Sequence, residues 1–248
     1  GSEMCIRDRK DIIMSLLTGY LLIPMTLFLN SLTMLFSKNY LNTSVQGMME
    51  YPYIVQIILV AVIPPLVEEF VFRGMFYGTY RKCGILKAAL VSGVVFGIFH
   101  MNINQMSYAI VIGLLFVCLN EATGSILSSI FMHFIINGTS ILSSAAIYKR
   151  YGSLQVETTE NMLSSGSIVR YLVIASVFCV AILALLLYAM MKIEHRDEIV
   201  AALTKPTQEK ERMLSPALVV VLVICVAMMA LSQICLLYTS DAADDLIG

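Results

Sequence analysis

Six ionisable or amide side chains lie within long apolar stretches of this sequence and are its candidates for chemistry: Glu68, Glu69, Arg73, His100, His133 and Asn137. Burying an ionisable group among apolar residues costs a few kcal/mol on membrane-insertion scales, so each one needs a partner or a task. A carboxylate and an imidazole that hold a water, opposite a pair of N–H donors, supply the general base and the oxyanion donors of amide hydrolysis. This residue set therefore indicates peptide-bond hydrolysis.

The acidic pair and the arginine occupy one segment, Ile63-Pro64-Pro65-Leu66-Val67-Glu68-Glu69-Phe70-Val71-Phe72-Arg73-Gly74. Glu69 and Arg73 are four residues apart with the acid first, the better order for a helical ion pair, and we expect a mainly structural, buried pair. Glu68 is rotated by about 100° and must face another neighbour. The two prolines should bend or break the helix just ahead of Glu68 and open a small wet pocket beside it.

The two histidines lie on separate segments. Phe96 precedes His100 by four residues, so its ring should lie above the imidazole on the same helical face. His133 and Asn137 are also four apart and offer a ring N–H and an amide group in one direction. The alternative interpretations are a satisfied core histidine for His100, and inter-helix hydrogen bonding for His133 and Asn137.

The depth of these residues suggests that they meet. With the cytoplasmic helix ends taken at Gly78, Gly84 and Gly124, Glu68 and His133 each lie roughly 15 Å inward at about 1.5 Å per residue, and His100 lies somewhat deeper. One shared site is therefore expected.

The elements that position these residues must be membrane helices. Of the 248 residues, 58% are hydrophobic and 13% are charged, and the mean hydropathy is +0.83. The sequence contains seven apolar segments, at about 11–36, 53–78, 84–104, 105–120, 123–147, 168–192 and 214–237. Their lengths suit helices that cross about 30 Å of hydrocarbon, and the fourth segment is the shortest. We expect an all-α, polytopic transmembrane bundle of about seven helices, or eight if the chain is truncated.

Charge and cysteine content exclude other classes. The net charge of −1 gives no basic surface for nucleic acid. The six cysteines stand singly, without a C-x-x-C pair, so neither a zinc site nor a disulfide framework is indicated. Lys and Arg residues are more numerous on the side of the N-terminus, which predicts that this end is cytoplasmic.

Both ends of the chain look foreign, because they resemble translated sequencing-adapter read-through. We expect residues 1–9 and 235–248 to lie outside the natural fold, residues 10–234 to form a single transmembrane domain, and its core to cover about 53–140.

Three motifs in order resemble the CPBP family, the CAAX-protease and bacteriocin-processing enzymes also called Abi proteins. Glu68 to Arg73 matches E-E-x-x-x-R, Phe96 to His100 matches F-x-x-x-H, and His133 to Asn137 matches H-x-x-x-N. The Thr123-Gly124-Ser125 helix start also resembles the family. The resemblance implies a glutamate-dependent intramembrane endopeptidase.

By position, the resemblance implies that Glu68 and His100 activate water and that His133 and Asn137 stabilise the oxyanion. Glu69 and Arg73 would support this arrangement, and Phe96 belongs to the second motif. No metal or other cofactor is predicted, but one Glu and two His can bind zinc, in which case Glu68, His100 and His133 would be the ligands.

The chain looks bacterial, so the expected location is the plasma membrane and the expected substrate is a small membrane-bound or exported peptide rather than a prenylated protein. The expected partners are therefore this peptide and the lipid bilayer. Two other functions compete: a catalytically silent bacteriocin-immunity or scaffold protein, and an ion-coupled transporter with Glu68 and the histidines as a proton relay.

Overall fold

A computed structural model describes residues 2–34, 37, 45–154, 166–193, 199 and 214–247, with helix placement alone for 2–8, 193 and 236–247. Seven helices of ten residues or more are found in these ranges, and no strand. They are α1 (Ser2–Thr33), α2 (Tyr53–Cys83), α3 (Ile85–Phe99), α4 (Ile103–Thr123), α5 (Ile126–Tyr151), α6 (Gly166–Ile193) and α7 (Pro216–Ile247). The all-α prediction is confirmed, and each of the seven predicted segments overlaps one of these helices.

Six of these helices are long and apolar enough to cross a membrane, namely all except α3. The expectation that the fourth segment is the shortest was wrong, because α4 has 21 residues and α3 has 15. The reason is local: α3 ends at Phe99, the chain turns through His100 and Met101, the latter with φ of 50°, and the Asn102 side chain caps α4 by accepting from the backbone N–H groups of Asn104 and Gln105. The fourth helix therefore begins earlier than its hydropathy suggests, and it ends at Gly124.

Helix α2 contains the acidic motif and is not broken by its prolines. It runs as α-helix over Tyr53–Ile57, as π-helix over Ile58–Val62, as α-helix over Ile63–Glu69, and again as π-helix over Phe70–Tyr77, before the short final turns. The expected break is thus replaced by π-helical turns, in which the N–H of Ile63 donates to the carbonyl of Ile58. Single π-helical turns occur mostly inside α-helices and frequently mark functional sites.

Helices α3 and α4 approach each other closely through glycine. A Cβ added to Gly93 would lie 2.9 Å from the carbonyl oxygen of Ile110, and one added to Gly113 would lie 3.0 Å from the Cα of Gly93. Small residues permit such approaches between membrane helices, where packing replaces the hydrophobic effect as the driving force. This contact places the C-terminal part of α3, with Phe96 and His100, against the middle of α4.

The buried core joins α1, α2, α3, α4, α5 and α6, and its largest members include Leu22, Phe72, Phe96, Phe116, Met132 and Leu183. Most exposed side chains on these helices are apolar, as expected for surfaces that face lipid. The protein is therefore a multi-pass membrane bundle. Several basic residues on which the predicted orientation depends lie outside the described residues: Lys38, Arg196, Lys205, Lys210 and Arg212.

Candidate active site

The side chain of Glu69 is the central polar group between α2 and α5. It is fully buried, and its Oε1 accepts hydrogen bonds from Nη1 of Arg73 at 3.1 Å and from Nδ1 of His133 at 3.0 Å. The ion pair within α2 agrees with the four-residue spacing of Glu69 and Arg73. The bond to His133 crosses to α5, so the buried acid also orients an imidazole.

The guanidinium of Arg73 lies between two aromatic rings. Its Cζ is 4.1 Å from the ring centroid of Phe96 and 4.9 Å from that of Phe116. A planar guanidinium stacks well on aromatic faces, and in a desolvated site such a contact is worth about 2 kcal/mol. The buried charge of Arg73 is therefore balanced by Glu69 and supported by the π faces of α3 and α4.

Glu68 faces the ring of His133, which Glu69 also contacts, and not Arg73, the second partner of Glu69. Its Oε2 lies 3.9 Å from Nε2 of His133 and, although buried, accepts no hydrogen bond from the described residues. The side chain as a whole is 31% exposed. One carboxylate oxygen thus points into the protein beside an imidazole, where it is available to accept a proton.

The His133 ring lies between the two acids. Because a carboxylate only accepts hydrogen bonds, the Nδ1 atom that contacts Glu69 must carry a proton. In the neutral ring, Nε2 is then an acceptor, whereas in the imidazolium it is a second donor.

His100 packs edge-on against Phe96, with ring centroids 4.7 Å apart. Its Nδ1 lies 2.8 Å from the carbonyl oxygen of Phe96, so Nδ1 donates and the neutral ring keeps Nε2 as a free acceptor. The Phe96 ring also contacts the His133 ring edge-on, at 5.9 Å. Phe96 therefore separates and orients the two imidazoles.

Asn137 lies one turn after His133 on α5, but its amide is already engaged. Its Nδ2 donates to the backbone carbonyl of Val60 on α2, at 3.1 Å. One N–H of the carboxamide is thereby committed to α2, which leaves the other for a ligand.

The sequence predicts the members of this cluster but misses two of the bonds between them. The Glu69–His133 and Asn137–Val60 hydrogen bonds connect residues that are distant in the sequence. The similar estimated depths of the acidic pair and His133 were the signal for the first bond. The prolines that follow Val60 were the signal for the second.

The residues provide donor atoms suited to a metal, but not the arrangement of a metal site. The Nδ1 contacts of His100 and His133 leave Nε2 of each neutral ring free, as in many metal-bound histidines. Within the described ranges, however, no three His, Cys, Asp or Glu side chains are grouped closely enough to hold an ion. As they are placed, Glu68, His100 and His133 therefore do not fit the zinc set that the motifs allow.

Comparison with known proteins supports the same region. Residues 50–139 match the family model described as "Type II CAAX prenyl endopeptidase Rce1-like". The chain is also 28% identical, over 113 residues, to the Bacillus subtilis (strain 168) protein named "Putative membrane peptidase YdiL". That match covers 45% of this chain and 46% of the relative, so it spans about half of the relative's length.

No solved structure matches the chain. The matched residues 50–139 contain the two glutamates, both histidines and Asn137, and they correspond closely to the core expected from the motifs. This central region is therefore similar to the Rce1-like CAAX prenyl endopeptidases, the family that the three motifs also resemble.

Proposed function

We propose that this protein is an intramembrane endopeptidase that hydrolyses a peptide bond of a membrane-bound or exported peptide. The observation that carries the proposal is the Oε2 atom of Glu68, which is buried, lacks a hydrogen-bond partner among the described residues and lies 3.9 Å from Nε2 of His133. A carboxylate oxygen without a hydrogen-bond partner can accept a proton from a water molecule, which is the task of a general base.

In the proposed reaction, Glu68 accepts a proton from a water molecule while the water oxygen attacks the carbonyl carbon of the scissile bond. The free Nε2 of His100 helps to orient this water as an acceptor. Protonated Glu68 then passes its proton to the leaving nitrogen as the C–N bond breaks. Every proton in this cycle comes from water and returns to a product.

The tetrahedral intermediate carries a negative oxygen, which needs donors. In the proposal these are the Nε2–H of the His133 imidazolium and the second N–H of Asn137. Glu69 holds the imidazolium through Nδ1, and Arg73 balances Glu69. Preorganised donors of this kind are usually the largest single contribution to acyl-transfer catalysis.

The proposed substrate and location extend the sequence predictions. We infer a bacterial plasma-membrane enzyme with a cytoplasmic N-terminus and a small peptide as substrate. Among the described residues, the cytoplasmic side would then hold Lys10, Arg81, Lys82, Lys87 and Lys192, and the other side Lys149, Arg150 and Arg170. The proposed mechanism assigns no step to a metal.

The test uses protein purified in detergent and a library of short membrane-anchored peptides. Cleavage should occur with the parent, and should be lost in Glu68→Gln and strongly reduced in His100→Ala. Glu50→Gln, at an exposed acid outside the cluster, is the matched control and should cleave as the parent does. Equal cleavage by Glu68→Gln would refute the mechanism.

A library left uncut by the parent would favour a silent immunity or scaffold protein, and ion uptake in liposomes would favour a transporter.

A further inference from the structure

The carbonyl of Val60 occupies an unusual position in α2. In an α-helix it would accept from the N–H of residue 64, and in a π-helical turn from the N–H of residue 65. Both positions are proline, which has no N–H. Neither the α-helical nor the π-helical pattern therefore provides an N–H donor for the Val60 carbonyl.

A side chain from another helix supplies the missing donor. Nδ2 of Asn137, on α5, lies 3.1 Å from the Val60 oxygen. Next to it, Gly138 faces α2, where an added Cβ would lie at an ordinary contact distance of 3.8 Å from Cβ of Ala61. An unsatisfied backbone carbonyl within a membrane costs several kcal/mol, so the contact is strongly favoured.

This hydrogen bond joins the helices that carry the two halves of the site. It lies about two helical turns before Glu68 on α2, and about one turn after His133 on α5. A shift at this bond would therefore alter both the direction of the Asn137 amide and the separation of Glu68 from His133.

We propose that Pro64 and Pro65 are positioning residues: they free the Val60 carbonyl so that it holds the Asn137 carboxamide and fixes the direction of its second N–H. This inference rests on the proposed function for its effect on catalysis, because that second N–H is the proposed oxyanion donor. The hydrogen bond itself does not depend on the function. Replacing both prolines by alanine would return two N–H groups to α2, and these would compete with Asn137 for the same oxygen.

The test compares the parent, Pro64→Ala/Pro65→Ala, Asn137→Leu and the combined triple variant. Leucine has the same number of side-chain heavy atoms and the same branching as asparagine, so Asn137→Leu removes the donor without leaving a cavity. Pro24→Ala is the matched control, because Pro24 lies inside α1 and outside the site. For each variant, kcat and KM are measured on a cleavable peptide, and Tm is measured in detergent.

Asn137→Leu should lower kcat by about 10²-fold or more, and the proline double variant by at least about tenfold with KM nearly unchanged. The triple variant should be no slower than Asn137→Leu, because both changes remove the same interaction. Pro24→Ala should keep the parental kcat. Parental kcat in the proline double variant, or losses that multiply in the triple variant, would overturn the proposal.

Thermal stability separates this inference from the proposed function. The drop in Tm caused by Asn137→Leu should be smaller in the proline double variant than in the parent, whether or not the protein cleaves peptides. Equal drops in both backgrounds would show that the Val60 carbonyl does not hold Asn137. If the double variant does not fold, Pro64→Ala and Pro65→Ala are measured singly. In at least one of them, Asn137→Leu must lower Tm by less than it does in the parent. Failure of Glu68→Gln to reduce cleavage would instead reject the proposed function alone.

Discussion

Oε1 of Glu69 accepts a hydrogen bond from Nδ1 of His133 at 3.0 Å, although 64 residues separate the two in the sequence. The other ring nitrogen of His133 faces Glu68 at 3.9 Å. Two adjacent carboxylates of one helix thus approach opposite nitrogens of one imidazole, and they differ in burial and pairing. This difference predicts different roles: Glu68 for chemistry and Glu69 for support.

The first prediction contrasts the two acids. Glu68→Gln should reduce kcat by about 10² to 10⁴-fold, because an amide cannot act as a base. Its Tm should change little, since Glu68 has no ion-pair partner of its own closer than 3.9 Å among the described residues. Peptide-cleavage kinetics and thermal unfolding in detergent measure both quantities, and a large loss of Tm with kcat preserved would contradict the assigned roles.

Glu69→Gln is the matched comparison for this prediction. It leaves the buried Arg73 without a counter-charge, and breaking a buried pair in this way costs about 3 to 5 kcal/mol. We therefore expect Glu69→Gln to unfold at a clearly lower temperature than Glu68→Gln. Its kcat should also fall, because His133 loses the carboxylate that orients it.

The second prediction concerns Arg73. Its guanidinium makes an ion pair with Glu69 and lies over the rings of Phe96 and Phe116. Arg73→Lys keeps the charge but loses the planar stacking, and Arg73→Met loses both and leaves the buried Glu69 with His133 as its remaining partner. Stability should fall in the order parent, Arg73→Lys, Arg73→Met.

Chemical unfolding in detergent measures this order. The double variant Arg73→Met/Glu69→Gln should recover part of the stability that Arg73→Met loses, because no uncompensated charge then stays buried. Losses that simply add in the double variant would show that the two side chains do not interact as the structure places them.

Several features of the site could be predicted from the sequence, because they depend on a single helix. The Glu69–Arg73 pair and the Phe96–His100 contact both follow from four-residue spacing. Ser125 caps α5 by accepting from the N–H of Leu127, as its position after Gly124 suggests. Local periodicity is sufficient for such contacts.

The contacts between helices could not be predicted in detail, since they depend on the relative rotation of packed helices. Helix α2 contains π-helical turns at Ile58–Val62 and Phe70–Tyr77, and each changes the direction of the residues that follow it. A regular α-helical projection therefore misplaces the faces of α2. The Asn137–Val60 bond was missed for a second reason, because its acceptor is a backbone carbonyl and not a side chain.

The third prediction concerns the glycine contact between α3 and α4. A Cβ at Gly93 would lie 2.9 Å from the Ile110 carbonyl oxygen and 3.2 Å from the Leu114 nitrogen, both rigid backbone atoms. Gly93→Ala should therefore force the helices apart and lower Tm, although alanine is the better helix former by about 1 kcal/mol. Gly138→Ala meets only an ordinary contact at 3.8 Å and is the matched control.

The position of His100 and Phe96 on α3 makes this a functional test as well. If the helices separate, kcat of Gly93→Ala should fall more than its KM changes, because the imidazole moves relative to Glu68. Gly138→Ala should keep or raise the parental Tm. A Gly93→Ala protein with parental Tm and kcat would show that α3 and α4 pack less closely than the structure indicates.

The fourth prediction concerns metal dependence. Within the described residues, Glu68, His100 and His133 are not grouped as a set of ligands, and the proposed base is the carboxylate itself. Prolonged dialysis against a chelator should therefore leave kcat unchanged, and added Zn²⁺ should inhibit, because it would bind the Glu68 carboxylate and the Nε2 atom of His100, which the reaction uses. Elemental analysis of the dialysed, active protein verifies that metal has been removed. The contradicting result would be loss of activity on dialysis and its recovery with less than one equivalent of Zn²⁺ per chain. It would mean that the three side chains rearrange around an ion and that Glu68 acts as its ligand.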